Sequence, residues 1–208
     1  MNEKYVITIG RQFGAGGLQI AEKLSQKLAI NYYDKNLIEI AAKKSGLGKE
    51  FFEKSEEKSP LGILGDLSGA LANIFVGGYY GDSMLINDAL FKIQSDIIKQ
   101  LARKESCIFV GRCADYVLRD QPRRIDIFVC ANMEDRIKRS APQQKEESKN
   151  LREKIEKTDK QRAKYYNFYS GKIWGAADSY HLCVNSSVLG IDATAEYLHS
   201  FARKSLTI

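Results

Sequence analysis

The chain has 208 residues, a formal net charge of +6 and four cysteines. This length suits one α/β domain with a substantial core and room for a helical insertion. The modest positive charge favours an anionic ligand such as a nucleotide, and no signature of nucleic-acid binding accompanies it. The cysteines lack C-x-x-C spacing and the two histidines are scattered, which excludes a disulfide framework and a metal cluster built by the chain.

The sequence favours a cytoplasmic protein without a membrane segment. Residues 1–4 lack the apolar core of a signal peptide. Residues 61–80 contain a single charge, Asp66, and are about as long as a bilayer span. Glycines and polar residues dilute this stretch, so we expect a buried helix or a subunit contact there, and a homodimer is left open.

The most informative stretch is a glycine-rich turn over residues 10–17. An apolar, β-prone run over residues 5–9 precedes it, and a helical pattern with apolar residues three or four positions apart follows. Such a strand–loop–helix directs successive backbone N–H groups into a hollow at a helix N-terminus, where phosphate is stabilised. An ordinary strand-to-helix turn is the weaker interpretation. The predicted phosphate-binding residues are Gly14, Ala15, Gly16, Gly17, Leu18 and Gln19.

This turn lacks the usual lysine. The standard phosphate loop, G-x-x-x-x-G-K-[ST], supplies a lysine to the β- and γ-phosphates and a hydroxyl to Mg²⁺. With Gly16 as its last glycine, the loop has Gly17 at the lysine position and Leu18 at the hydroxyl position. Another cation should replace the lysine, and Arg11 is the first candidate. Gln19 could hold a Mg²⁺-bound water or a phosphate oxygen, or it could be an ordinary exposed residue.

Strands and helices alternate along the rest of the chain. We predict strands over residues 30–34, 107–110, 125–130 and 181–185. We predict helices beginning at Asp34, which would act as the N-cap, and over residues 47–59, 83–103, 114–118, 133–139 and 192–201. The charge-dense residues 143–164, with Leu151 and Ile155 as their apolar positions, indicate a largely solvated helix.

This alternation predicts an α/β fold with a doubly wound, mostly parallel five-stranded sheet. In such sheets, ligands bind beyond the carboxyl ends of the strands. Several predicted site residues follow strands directly, namely Gly10, Asp34, Gly111, Arg112 and Asn185. We therefore expect them to lie along one edge of the sheet.

The sequence resembles the P-loop nucleoside monophosphate kinases, and in particular the cytidylate kinase-like family, over nearly its whole length. The likeness is carried by Ile7-Thr-Ile-Gly-Arg-Gln-Phe-Gly-Ala-Gly-Gly17, Tyr33-Asp34-Lys35, Phe109-Val-Gly-Arg-Cys-Ala-Asp115, Ile125-Asp-Ile-Phe128 and Lys157-Thr-Asp-Lys-Gln-Arg162. The resemblance implies a single P-loop kinase-like domain over residues 1–208. It implies a helical acceptor-side insertion over about residues 35–105 and a lid segment over about residues 143–172.

The resemblance also implies ATP with Mg²⁺ as the phosphoryl donor and a nucleoside monophosphate such as CMP or dCMP as the acceptor. The resemblance puts Arg112 on the acceptor, and Asp159 and Arg162 over the ribose and phosphates. With Arg11 of the glycine loop added, the predicted catalytic arginines are Arg11, Arg112 and Arg162, and the predicted acceptor-binding residues are Asp34, Arg112, Asp115, Asp159 and Arg162. Cys113 replaces the aspartate of the family's G-R-D block, and Asp115 is not a simple substitute. Two alternatives stay open: a regulatory nucleotide-binding protein with little or no activity, and a kinase for another small acceptor.

Overall fold

The computed structural model describes residues 4–34, 82–144 and 148–208. The predicted helix that begins at Asp34, the charged helix over residues 47–59 and the apolar stretch over residues 61–80 lie outside this part of the chain. The chain divides into two compact units, one formed by Met1–Lys35 with Ile98–Ile208 and the other by Asn36–Ile97. All the residues of the site described below belong to the first unit.

Five strands form the sheet: β1 (Val6–Arg11), β2 (Asn31–Tyr33), β3 (Cys107–Val110), β4 (Arg124–Cys130) and β5 (Leu182–Asn185). The helices of the described residues are α1 (Gly17–Leu28), α2 (Asp82–Lys104), α3 (Ala114–Val117), α4 (Met133–Gln144), α5 (Ser148–Ser170) and α6 (Ser186–Leu206). A short 3₁₀ turn spans Ala177–Ser179. Within the described ranges, no helix is both long and apolar enough to cross a membrane.

The strands pair in the order β2-β3-β1-β4-β5, and every pairing is parallel. The predicted parallel five-stranded α/β sheet is therefore confirmed. Strand β1 lies in the centre, with Val6 opposite Cys107 on one side and Arg124 on the other. Because parallel strands end at a common edge, the turn that follows β1 leaves the middle of the carboxyl edge, flanked by the turns after β3 and β4.

The two faces of β1 pack in different ways. Ile7 and Ile9 are fully buried in a core that includes Ile127 of β4, Leu24 of α1 and Leu198 of α6. This cluster fixes α1 and α6 on one face of the sheet, as expected when strands are buried on both sides.

The opposite face of the sheet carries paired polar groups. The hydroxyl of Thr8 donates to Oδ1 of the buried Asp126 at 2.8 Å, and Asp126 also pairs with Arg124 at 2.9 Å. Buried polar groups are tolerated when they are hydrogen-bonded in this way. The bond between Thr8 and Asp126 therefore links β1 to β4 on the face opposite that cluster.

Helices α5 and α6 extend beyond the predicted segments. The charged residues Glu153 and Glu156 of α5 are exposed, as predicted, whereas Leu151 and Ile155 are completely buried, one turn apart. Helix α6 starts six residues earlier than the predicted 192–201 segment, because the Asn185 side chain caps it by accepting from the Ser187 N–H at 2.9 Å. Its helical conformation is interrupted at Gly190, where φ is 75° and ψ is 174°.

The packing of α5 gives a testable prediction. Leu151→Ala should lower the free energy of unfolding by about 2–5 kcal/mol, because it leaves a cavity beneath the helix. Urea denaturation measures the loss, and Glu153→Ala, two residues away on the exposed side, is the matched control. Equal stability of the two variants would mean that Leu151 does not contribute to the packing of α5.

Candidate functional site

The turn between β1 and α1 depends on two glycines with left-handed backbone conformation. Gly14 has φ of 73° and Gly16 has φ of 78°. A Cβ atom at Gly14 would lie 2.7 Å from the carbonyl oxygen of Arg136, and one at Gly16 would lie 2.8 Å from Cδ1 of Ile191. The turn therefore lies directly against α4 and α6, in a path that side chains would block.

The carbonyl oxygens of this turn are bonded to the surrounding protein. Arg136 Nε donates to the carbonyl of Phe13 at 2.7 Å, and the hydroxyl of Ser186 donates to the carbonyl of Ala15 at 2.8 Å. Helix α1 begins at Gly17, and no side chain caps it. Its first N–H groups therefore lack partners within the helix. An uncapped helix N-terminus of this kind, with the positive end of the helix dipole, is a typical place for an anion to bind.

Arg11, the last residue of β1, occupies the space beside the lysine position. A Cβ atom at Gly17 would lie 2.6 Å from the Cβ of Arg11, and one at Gly111 would lie 2.1 Å from its Nη1. Gly17 is not among the residues with positive φ, so the restriction there is one of space and not of backbone conformation. The arginine side chain therefore runs past Gly17 and ends against the turn after β3.

The structure brings Arg11 together with four other predicted site residues. Its pKa is lowered to about 9, chiefly by burial and then by the positive charges of Arg162 and Arg112, whereas Asp34 and Asp159 act in the opposite direction. Burial also lowers the pKa of Arg162. Guanidinium groups remain charged at neutral pH, so this arginine cluster (Arg11, Arg112 and Arg162) holds positive charge that favours binding of an anion.

The turn after β3 holds Arg112 in a strained conformation. Gly111, Arg112 and Cys113 have φ values of 78°, 58° and 53° in succession. A left-handed conformation costs a residue other than glycine about 1–2 kcal/mol. Hydrogen bonds from the Gly111 N–H to Ile9 O and from the Ala114 N–H to Gly111 O hold the turn at both ends. Such strain, maintained by the surrounding fold, is characteristic of functional sites.

Side chains of α5 contact the turn after β1 and the turn after β3. The guanidinium carbon of Arg112 lies 5.8 Å from the centre of the Tyr165 ring. Arg162 donates from Nη1 to the carbonyl of Arg11 at 3.0 Å, and its guanidinium carbon lies 5.6 Å from the centre of the Phe13 ring. Two of the three clustered arginines are therefore in contact with α5 or carried by it.

Asp159 and Asp115, two predicted acceptor ligands, are engaged within the protein. Oδ1 of Asp159 accepts from the Phe13 N–H at 2.8 Å, and its Oδ2 pairs with the guanidinium of Arg136. Asp115 is buried and accepts from the hydroxyl of Tyr166 at 2.6 Å, and burial raises the pKa of its carboxyl.

Sequence reasoning missed two arginines of α4 that hold the turn. Arg136 is almost completely buried against Phe13, and Arg139 donates to the carbonyl of Ala15 at 3.3 Å. Their signal was weak, since it consisted of two basic residues three positions apart at the start of a helix. Of the predicted loop residues, Ala15 is fully buried, whereas Leu18 and Gln19 are exposed on the first turn of α1.

Comparison with known proteins agrees with this architecture. A model of the cytidylate kinase-like family matches residues 6–188, whereas no protein with curated annotation matches the chain. An uncharacterized protein from Eubacterium ventriosum superposes with a TM-score of 0.71 at 24% identity, over 96% of this chain and 98% of that one. TT1252 from Thermus thermophilus has a TM-score of 0.58 at 13% identity, over 97% and 98% of the two chains.

A shikimate kinase from Bacteroides thetaiotaomicron superposes with a TM-score of 0.54 at 12% identity, over 98% of this chain and 99% of that one. At such identities these structures show the fold alone. That fold, a five-stranded parallel sheet with a glycine-rich turn after its central strand, is the fold of the P-loop kinases.

The strain at Arg112 yields a prediction. Arg112→Gly should have a free energy of unfolding about 1 kcal/mol higher than Arg112→Ala, because glycine adopts a positive φ without the Cβ penalty. Urea denaturation compares the two variants. The pair Arg119→Gly and Arg119→Ala is the control, and there alanine should be the more stable replacement. The same order of stability at both positions would contradict the strain assigned to Arg112.

Proposed function

The chain belongs to the cytidylate kinase-like family, and on that premise we propose that it transfers the γ-phosphoryl group of ATP to a nucleoside monophosphate such as CMP or dCMP. One observation carries the proposal: three guanidinium groups interact beside a helix N-terminus that no side chain caps. Positive charge and unpaired amides at one place favour a polyphosphate over a neutral ligand.

The residues present fit the polyphosphate of ATP. They offer few oxygen ligands for its Mg²⁺. The amides of the turn and the arginine cluster suit phosphate oxygens, but Leu18 offers no oxygen at the hydroxyl position. Mg²⁺ in such sites is usually held by one or two carboxylates and the substrate phosphates. Asp34, which acts on Arg11, would supply the carboxylate, and Gln19 would bind a Mg²⁺-bound water. When bound, the ion neutralises charge on the phosphates.

Arg11 is the proposed replacement for the missing lysine. It reaches the site from the end of β1 instead of from α1, and Gly17 and Gly111 give it space. Its planar guanidinium can donate two parallel hydrogen bonds to one phosphate and stays charged. Arg162, whose guanidinium lies on the α5 side of the turn, would contact the transferring group, where arginines in other phosphoryl-transfer enzymes contribute about 10³–10⁵ in rate.

The acceptor side is proposed to depend on Arg112. Cys113, at the position of the family's aspartate, is buried, and burial raises the pKa of its thiol to about 12. It is therefore a neutral group that cannot act as a carboxylate. With Asp115 bonded to Tyr166, Arg112 is the residue best suited to bind an acceptor phosphate. It would hold an acceptor oxygen in line with the γ-phosphorus of ATP, which is the main requirement of the reaction.

Assays of ADP release test the proposed function. The purified chain is given ATP, Mg²⁺ and each common nucleoside monophosphate in turn, and then a panel of small hydroxylated acids. Stimulation by one nucleotide supports the proposal, and stimulation by a non-nucleotide alone replaces the acceptor class. Binding of ATP without any turnover would support a regulatory protein. If ATP neither binds by calorimetry nor raises the melting temperature, the proposal is wrong.

The proposal that Arg11 replaces the lysine can be tested by removing the positive charge at residue 11 and introducing a lysine at residue 17. Arg11→Ala should weaken ATP binding about tenfold or more, because it removes a charge-assisted bond to phosphate. Gly17→Lys alone should lower the melting temperature, since its Cβ would lie 2.6 Å from that of Arg11. A double variant that combines Gly17→Lys with Arg11→Gly removes this Cβ–Cβ overlap and should regain part of the lost affinity.

Calorimetry and thermal denaturation measure the four proteins, and Arg119→Ala controls for the loss of a surface arginine. Unchanged ATP affinity in Arg11→Ala would place the replacement of the lysine elsewhere. A double variant no better than Arg11→Ala would show that residue 17 cannot supply the missing charge.

A further inference from the structure

The backbone of Phe13 is held on both sides of its Cα by one ion pair. Its N–H donates to Oδ1 of Asp159 at 2.8 Å, and its carbonyl accepts from Nε of Arg136 at 2.7 Å. The remaining carboxylate oxygen of Asp159 pairs with the guanidinium of Arg136. These three contacts close a ring in which each member bonds to the other two. We call this ring the Phe13 clamp.

The burial of the clamp argues for a role in orientation. The side chain of Arg136 is 5% exposed and that of Asp159 is 15% exposed. A buried ion pair gains little net stability, because the cost of removing both charges from water offsets their attraction. It can instead fix a single arrangement when its hydrogen bonds are satisfied. Here both charged groups bond to the backbone of the same residue, one to each of the two peptide units that meet at the Cα of Phe13.

The turn needs such external support. Gly14 and Gly16 flank the next peptides, and glycine adopts positive and negative φ with similar ease. The backbone alone therefore does not select the conformation that directs amides toward phosphate. The clamp fixes the two peptides that flank Phe13, the second of which leads into Gly14, and the bond from Ser186 to the carbonyl of Ala15 fixes the peptide that leads into Gly16.

The clamp also places Arg162. Asp159 and Arg162 lie three residues apart on α5, which puts them on neighbouring turns of the same helix face. Asp159 bonds to the N–H of Phe13, whereas Arg162 bonds to the carbonyl of Arg11. The same face of α5 therefore contacts the chain on both sides of residue 12. Release of Asp159 would leave Arg162 as the remaining bond between this face and the turn.

We propose that Asp159 and Arg136 are positioning residues that fix the phosphate-binding turn and Arg162, and that Asp159 is not a ligand of the acceptor. This inference rests on the proposed function for its kinetic consequences, whereas the clamp itself exists without substrate. It replaces the role that the family resemblance gave to Asp159. ATP affinity and turnover should depend on the pair, and acceptor affinity should not.

Asp159→Asn is the first test, because it keeps an oxygen for the Phe13 N–H but removes the charge that pairs with Arg136. We expect ATP affinity and kcat to fall about tenfold, in the range that small displacements of reacting groups produce. The acceptor KM at saturating ATP should stay within about twofold of wild type, a change too small to signal a lost ligand. Glu156→Gln removes a negative charge from the exposed side of the same helix and should change neither quantity.

A double-variant cycle tests whether the two residues act as one unit. Arg136→Lys keeps the positive charge but cannot reproduce the fork of bonds to Phe13 and Asp159. If the clamp is one unit, combining it with Asp159→Asn should weaken ATP binding about as much as either change alone, whereas independent roles would multiply the two effects. Multiplied effects, or a raised acceptor KM with unchanged ATP affinity, would overturn the inference.

Hydrogen exchange separates failure of the clamp from failure of the proposed function. In the ligand-free wild type the Phe13 amide should be protected, and Asp159→Ala should lose that protection while the β3 amides keep theirs. Absence of ATP binding in the wild type would overturn the proposed function but leave this readout intact. A Phe13 amide that exchanges equally fast in both proteins would refute the clamp, whatever the kinase assays show.

Discussion

The arrangement of this site depends on the space around one side chain. Arg11 leaves the central strand at the point where the chain turns toward α1, and only glycine at residues 17 and 111 lets it pass. The absence of the usual lysine at residue 17 and the presence of an arginine at the end of β1 are therefore linked, because the two side chains would compete for the same space.

Electrostatics explains why so many contacts surround a short turn. Three guanidinium groups close together repel one another, and burial increases the cost, as the lowered pKa of Arg11 shows. The carboxylates of Asp34 and Asp159 offset part of this repulsion, and a polyphosphate would offset the rest. Bonds from α4 and α6 hold the carbonyls of the turn, and Arg162 of α5 bonds to the carbonyl of Arg11. Under the proposed function, this arrangement would serve an anion site at the expense of stability.

The sheet and the edge that carries the site could be predicted from sequence, because local signals encode them. Strands β1, β3 and β4 contain apolar runs, and Arg112 lies two residues after the end of β3, so its place at the carboxyl edge follows from topology. The bonds of Asp159 could not be predicted in this way. Its partner Phe13 lies 146 residues away, and Arg136 belongs to no motif. The resemblance gave Asp159 a ligand role, whereas packing gives it a bond to the backbone.

The contact between Arg11 and Gly111 has a consequence for how two substrates would affect each other. The guanidinium that would meet the donor rests against the turn whose next residue, Arg112, would meet the acceptor. Any acceptor that pulls on Arg112 also shifts the surface that supports Arg11. We therefore expect substrate synergism, in which binding of one substrate increases the affinity for the other. The effect would be transmitted through the turn after β3, without movement of a domain.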